Sequence, residues 1–252
     1  MGRRQQYTTS GRRRRRSPLG RFLTFALICL VLFLGVSVFF RVSEIEVVGD
    51  TRYSRAEIIA ASEIEFGSHL FFLREDAVRE NILSRLPYAG HVEMARRFPS
   101  RIVITVREAL PVAFLWTEGG YIILDRSARI LERVDSRPIQ RLVFVEGLRT
   151  PVLPRAGEIL SLGEEGRTQL QYLQGILGAF SIHGLVPWVS VLDMQDVYNP
   201  QFYYDGRFTV LLGPNRNLQH KMDMFVGIVA TMDDDEFGVI DLQPERPVFR
   251  QE

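Results

Sequence analysis

The chain has 252 residues, a formal net charge of +1 and 46% hydrophobic residues, which is enough apolar material for one or two packed domains. The near-neutral charge hides an asymmetry, because all thirty acidic residues lie from Glu44 onward, against twenty-two basic residues from position 42. The region beyond residue 42 therefore carries a net charge of −8. This argues against nucleic acid as its ligand, since phosphate binding needs a basic face.

An apolar segment at residues 22–40 follows a basic N-terminal tail at residues 1–21. The segment contains no charged residue, and a helix of its nineteen residues is about 28 Å long, close to the ~30 Å hydrocarbon core of a bilayer. Eight arginines and no acid precede it, which by the positive-inside rule predicts a cytoplasmic N-terminus. We predict a single-pass type II plasma-membrane protein with its C-terminus outside the cytoplasm. A cleaved signal peptide is the alternative, although the apolar run is longer than such peptides usually carry.

The region 42–110 predicts a compact α+β module with the order β-α-α-β-β. Ser54 and Glu57 form a capping box that opens a first helix, and a second helix runs from about Glu75 to Leu86. The strands, indicated by alternating apolar residues, are 44–48, 91–97 and 101–107.

The last of these strands is expected to supply the core of the module. Ile102, Ile104 and Val106 alternate with polar residues, so one face of the strand is buried and the other is wet. We expect this buried face to pack against one face of the second helix, which consists of Val78, Ile82, Leu83 and Leu86.

From residue 111 to residue 252 the pattern predicts a mostly antiparallel β domain with two helices. Ser161 and Glu164 indicate a capping box that opens the first helix, which extends to about residue 180, and the second helix spans about 216–232. The Asp205-Gly206 pair predicts a type I′ hairpin turn. The predicted strands are 113–116, 121–124, 130–134, 142–145, 189–192, 202–204, 207–212 and 238–242.

No catalytic or metal-binding motif is present in the sequence. Zinc-binding His pairs, a nucleophile elbow and a glycine-rich phosphate loop are missing, and the acidic run 233–236 lacks the spacing of a calcium loop. We predict a protein that is not an enzyme, with no catalytic residue, no metal and no cofactor. The alternative is a membrane-anchored cell-wall enzyme with an unrecognised carboxylate site, because paired carboxylates are brought together only by the fold.

Residues 91–108, HVEMARRFPSRIVITVRE, and the following Pro-Val-Ala-Phe at 111–114 resemble the FtsQ/DivIB family of bacterial cell-division proteins. Segments 121–125, 211–213 and 240–242 resemble the second, mostly β domain of that family. Ala128 departs from the family, which often has Gly in the turn after the aspartate that Asp125 matches. Matches to the opening of the family's POTRA domain are Ile45, Val47, Gly49, Ser54, Glu57 and Ile58.

The resemblance implies a non-enzymatic component of the divisome, concentrated at the division septum. Such proteins have a POTRA domain near the membrane and a β domain beyond it. They bind the outer parts of two single-span partners, FtsL and FtsB/DivIC, and thereby help to control the septal peptidoglycan synthase.

The expected partner site lies in the C-terminal residues Pro247, Val248, Phe249 and Arg250. They follow the strand 238–242 with no later strand to pair with, so we predict an edge strand open to strand addition. In the resembling family this edge receives a strand of the FtsB/DivIC partner beside a basic helix residue. That position matches Lys221, the only lysine, and implies that it pairs with a partner carboxylate. Alternatively, Val248 and Phe249 complete the core and Lys221 is solvated.

Overall fold

The computed structural model describes residues 18–150, 155–244 and 246–251. The helices are α1 (Pro18–Phe39), α2 (Arg55–Ser62), α3 (Glu75–Arg85), α4 (Arg167–Ile182) and α5 (Leu218–Val229). The first six strands are β1 (Glu44–Val48), β2 (Ala89–Arg97), β3 (Arg101–Glu108), β4 (Ala113–Thr117), β5 (Gly120–Leu124) and β6 (Ile130–Val134). The others are β7 (Val143–Glu146), β8 (Val189–Asp193), β9 (Gln201–Tyr204), β10 (Phe208–Leu211), β11 (Gly238–Asp241) and β12 (Val248–Gln251).

A three-stranded sheet in the order β1-β3-β2 forms the first unit, with α2 and α3 between β1 and β2 in the chain. This confirms the predicted β-α-α-β-β order. The capping box is also present, since Ser54 Oγ accepts from the Glu57 amide at 3.3 Å and the Glu57 carboxylate accepts from the Ser54 amide at 2.7 Å. Fully buried apolar side chains on β3 and α3 share one core, as predicted: Ile102, Ile104, Val106, Val78 and Ile82.

The second unit is a nine-stranded sheet in the order β12-β11-β10-β9-β8-β7-β4-β5-β6. Five of its neighbouring pairs are antiparallel and three are parallel, so it is mostly antiparallel as predicted. Helices α4 and α5 cover one face, where Phe202 lies 5.0 Å from Phe180 and 5.1 Å from Phe225 between ring centroids. Registered residues of neighbouring strands line this buried face: Leu115, Val145, Leu192, Phe202, Val210 and Ile240.

The predicted capping box at Ser161 is wrong. Helix α4 begins at Arg167, and Gly166 occupies the N-cap position without a side-chain hydrogen bond. The physical reason is Gly163, whose φ of 77° lies in the left-handed region and turns the backbone off a helical path. The Glu164 carboxylate instead pairs with Arg167 at 2.6 Å.

Two hairpin turns of the large sheet place residues other than glycine in the left-handed region. Asp205 and Gly206 have φ of 53° and 68°, which confirms the type I′ geometry between β9 and β10. Ala128 has φ of 57°, so the turn between β5 and β6 forms without glycine. The Asp125 carboxylate stabilises it by accepting the amide of Arg129 at 2.9 Å.

The two sheets meet through a polar and aromatic contact at Tyr88. Its hydroxyl donates to the Glu132 carboxylate on β6 at 2.7 Å, and the Arg52 guanidinium lies 3.6 Å from the centre of its ring. Burial, reinforced by the acceptor Glu132, raises the pKa of Tyr88 to about 12. The division of the chain at residue 111 stays a prediction, and this contact shows that the units on either side touch.

Helix α1 precedes the first sheet and ends at Phe39. Within the ranges given above, no helix combines the length and the apolarity that crossing a bilayer requires. The predicted basic tail falls largely on residues 1–17, which lie outside the described residues.

Candidate partner-binding edge

Strand β12 lies at one end of the nine-stranded sheet, where β11 is its neighbour within the described part of the chain. The two strands are antiparallel, and Ile240 stands opposite Phe249. The predicted C-terminal segment therefore occupies a sheet edge. An edge strand presents a row of backbone donors and acceptors to a further strand.

The hydrogen bonds of β11 show which of its backbone groups face β12. The amides of Gly238 and Leu242 donate toward β10, at 3.1 Å and 2.9 Å. Successive residues of a strand direct their backbone groups to opposite sides. Val239 and Asp241 therefore face β12.

The register then assigns the backbone groups of β12. Arg250 and Val248 pair with the two β11 residues that face them, so their N–H and C=O groups point inward. Phe249 and Gln251 direct theirs away from the sheet. Pro247, which has no N–H, precedes the strand on this same outward phase. The open edge thus offers two N–H donors to an added strand.

The side chains of β12 divide between the two faces of the sheet. Phe249 is half-buried on the helix-covered face and lies 6.1 Å from the Phe208 ring. Val248 and Arg250 are exposed on the opposite face, where the Arg250 guanidinium is 3.9 Å from the Asp241 carboxylate. Phe249 therefore helps to fix β12 in place, and the exposed apolar surface of the strand belongs to Val248.

Lys221 on α5 is buried, with 7% of its surface exposed, and so is not the solvated helix residue of the alternative interpretation. Its ammonium donates to the carbonyl oxygens of Leu212 at 2.5 Å and Pro214 at 3.2 Å. The Tyr172 hydroxyl donates to the carbonyl between them, Gly213 O, at 2.7 Å. Three consecutive carbonyls after β10 are thus held by side chains of α5 and α4.

No pattern in the sequence indicates this internal role of Lys221. A lysine beside apolar helix residues is compatible with both a solvated and a buried ammonium. Every residue has a backbone carbonyl, so residue type does not show which carbonyls accept a hydrogen bond from the lysine. Tyr172 was missed for the same reason. Burial lowers the pKa of Lys221, and the negative charge of Asp241 opposes this shift.

We expect the Lys221 amine to titrate below its ordinary pKa of 10.5. Between the lowered folded pKa and 10.5 the unfolded chain holds more protons, so this group makes stability rise with pH across that window. Because the chain has one lysine, a protein labelled with ¹³C-lysine gives one side-chain lysine signal. A midpoint at or above 10.5 for this signal contradicts the buried position.

A metal site finds no support in the described residues, where no group of three or more His, Cys, Asp and Glu side chains is placed to hold an ion. The arrangement offers a sheet edge whose outward backbone groups can pair with an added strand.

Comparison with known proteins identifies one domain of the chain and several relatives. Residues 40–109 match the model of the POTRA domain, FtsQ-type. Relatives that carry the same family names match across much of the chain. The chain therefore contains a POTRA domain of the FtsQ type and is similar over most of its length to cell division proteins named DivIB and FtsQ. The resemblance seen in the sequence is thereby confirmed.

Three relatives show how far the similarity extends beyond the POTRA domain. The cell division protein DivIB of Clostridium tetani is 22% identical over 191 residues, covering 76% of this chain and 70% of the relative. DivIB of Clostridium botulinum strain Hall is 22% identical over 234 residues, covering 90% and 87%. The cell division protein FtsQ of Anaeromyxobacter sp. strain K is 27% identical over 199 residues, covering 77% and 63%.

Proposed function

We propose that this protein is a non-enzymatic component of the bacterial division machinery, acting in septation. The observation that carries the proposal is the match to cell division proteins named DivIB and FtsQ over three quarters or more of the chain. The proposed domains are a basic cytoplasmic tail at 1–21, a membrane anchor at 22–40, a POTRA domain at 42–110 and a β domain at 111–252. The charge asymmetry of the sequence supports a type II orientation with the C-terminus outside the cytoplasm.

The proposed mechanism is strand addition at β12. An extended segment of an FtsB/DivIC-type partner pairs with the outward N–H and C=O groups of Phe249 and Gln251, while Val248 provides apolar contact beside it. An FtsL-type partner completes the assembly, which then influences the septal peptidoglycan synthase. The open edge of β12 supports this mechanism, because strand addition uses backbone hydrogen bonds and needs no catalytic group.

Lys221 is proposed to contribute in two ways. Two of the three N–H donors of its ammonium go to the loop carbonyls, which keeps the end of β10 beside β11 and so stabilises the edge. The third donor is proposed to meet a carboxylate of the partner. Charge-assisted hydrogen bonds of this kind are stronger than neutral ones, so even a single one contributes measurably to affinity.

Depletion of the protein combined with fluorescence localisation tests the function. We expect cells to grow into filaments without septa and a fluorescent fusion to collect at division sites. Normal septa with altered cross-linking of the wall would contradict the proposal and favour a cell-wall enzyme instead.

A further inference from the structure

An exposed aromatic cluster lies where the chain leaves α1. It consists of Phe40, Phe71, Phe72 and Phe98, which we call the aromatic patch. Phe40, Phe71 and Phe98 form a triangle with ring centroids 5.2 to 5.7 Å apart, and Phe72 extends it through the His69 ring at 4.9 Å. Phe71, Phe72 and Phe98 each expose more than half of their surface. None of these four rings belongs to the apolar core of the first sheet.

Backbone hydrogen bonds tie the aromatic patch to the end of α1. The Leu70 amide donates to Phe40 O, and the Val42 amide donates to Ser68 O, both at 2.9 Å. The Ser43 amide donates to the carbonyl of Ser100, in the turn that carries Phe98, also at 2.9 Å. Because Phe40 directly follows the last residue of α1, the patch cannot move away from the helix end without breaking these bonds.

Each of the three chain segments that form the patch also carries an exposed arginine. Arg41 follows Phe40, Arg74 lies two residues after Phe72, and Arg97 precedes Phe98. None of the three guanidinium groups makes an ion pair with another described residue. Aromatic rings beside exposed cations match the chemistry of an anionic bilayer surface, where rings enter the headgroup region and cations meet lipid phosphates.

We propose that the aromatic patch docks on the bilayer surface and holds the first sheet at a fixed height and orientation above the membrane. The proposal rests on the membrane anchor of the proposed function. The aromatic patch contacts lipid rather than a protein partner, because backbone hydrogen bonds tie it to the end of α1. The segment 22–40, which makes up most of that helix, has no charged residue. Rings tied to that point lie at the interface whenever the helix is inserted, within the ~5–10 Å depth typical of interfacial side chains.

Tryptophan reporters in the full chain test the docking. The protein is reconstituted in vesicles of phosphatidylcholine and phosphatidylglycerol whose acyl chains carry bromine near the headgroup, which quenches nearby indole fluorescence. We expect the Phe72→Trp reporter to lose most of its emission relative to vesicles without bromine, and to emit at shorter wavelength. The matched control is Phe237→Trp, an exposed ring beside β11, whose emission should not change. Emission of the parent protein, which has two tryptophans, is subtracted.

A third reporter separates failure of docking from failure of the anchor. Phe25→Trp lies within α1 and is quenched if that helix is inserted. Quenching of Phe25→Trp without quenching of Phe72→Trp overturns the docking and leaves the anchor standing. If neither reporter is quenched, the anchor and the docking both fail. Equal quenching of Phe72→Trp and Phe237→Trp also overturns the proposal, since the contact would then not be confined to the patch.

Discussion

Replacing Ile104 by Asp lowers the free energy of unfolding of the first sheet by about 3–5 kcal/mol, the cost of burying a charge without a partner. Ile104 is fully buried in the middle of β3, between Val47 on β1 and Met94 on β2. The introduced carboxylate meets only apolar neighbours there, so its pKa is expected to rise. The loss of stability should therefore be smaller at acidic pH, where the carboxyl group takes up a proton.

Pulse proteolysis of the full chain in urea, with cleavage sites assigned by mass spectrometry, measures this loss within residues 42–110. The matched control is Ala95→Asp, which adds the same carboxylate to the exposed face of β2. We expect the control to unfold within about 0.5 kcal/mol of the parent, as exposed substitutions usually do. If Ile104→Asp and Ala95→Asp lose the same free energy of unfolding, the face of β3 that carries Ile104 is not the buried one.

The fold of the first sheet could be predicted from the sequence because its signals are local. The alternation of Ile102, Ile104 and Val106 and the capping box at Ser54 each act over a few residues, and the structure keeps both. The start of α4 could not be predicted from the Ser161 pattern. Glycine adopts helical and left-handed backbone angles with similar ease, so packing decides which one Gly163 takes. The Ser161 pattern therefore does not predict its left-handed φ.

The candidate site could also be predicted only in part from the sequence. The edge position of Pro247 to Arg250 follows from the order of strands along the chain, and the structure has β12 at the sheet end. The parallel pairing of β10 with β11 is non-local and was not predicted, although it decides which backbone groups of β12 face outward. The burial of Lys221 depends on carbonyls nine and seven residues away, so residue type alone could not separate a partner contact from an internal one.

Deletion of residues 247–252 is expected to abolish binding of an FtsB/DivIC-type partner, because it removes the strand to which the partner segment adds. The deletion also removes the contact of Phe249 with Phe208, so stability must be measured alongside affinity. We expect some loss of stability and a sheet that still folds, since β11 remains paired with β10. Calorimetric titration of the full-length protein in micelles with the purified outer part of the partner measures the affinity.

A single substitution isolates the backbone contribution. Gln251→Pro removes an outward N–H of β12 at an exposed position, whereas Gln251→Ala shortens the side chain and keeps that N–H. One lost hydrogen bond of about 1 kcal/mol weakens binding roughly fivefold. The proline variant should therefore bind more weakly than the alanine variant, with equal stability of the two free proteins. Strand addition at β12 requires both the strand and the Gln251 N–H. If the proline and alanine variants bind with identical affinity and the deletion variant binds with wild-type affinity, the partner binds another surface.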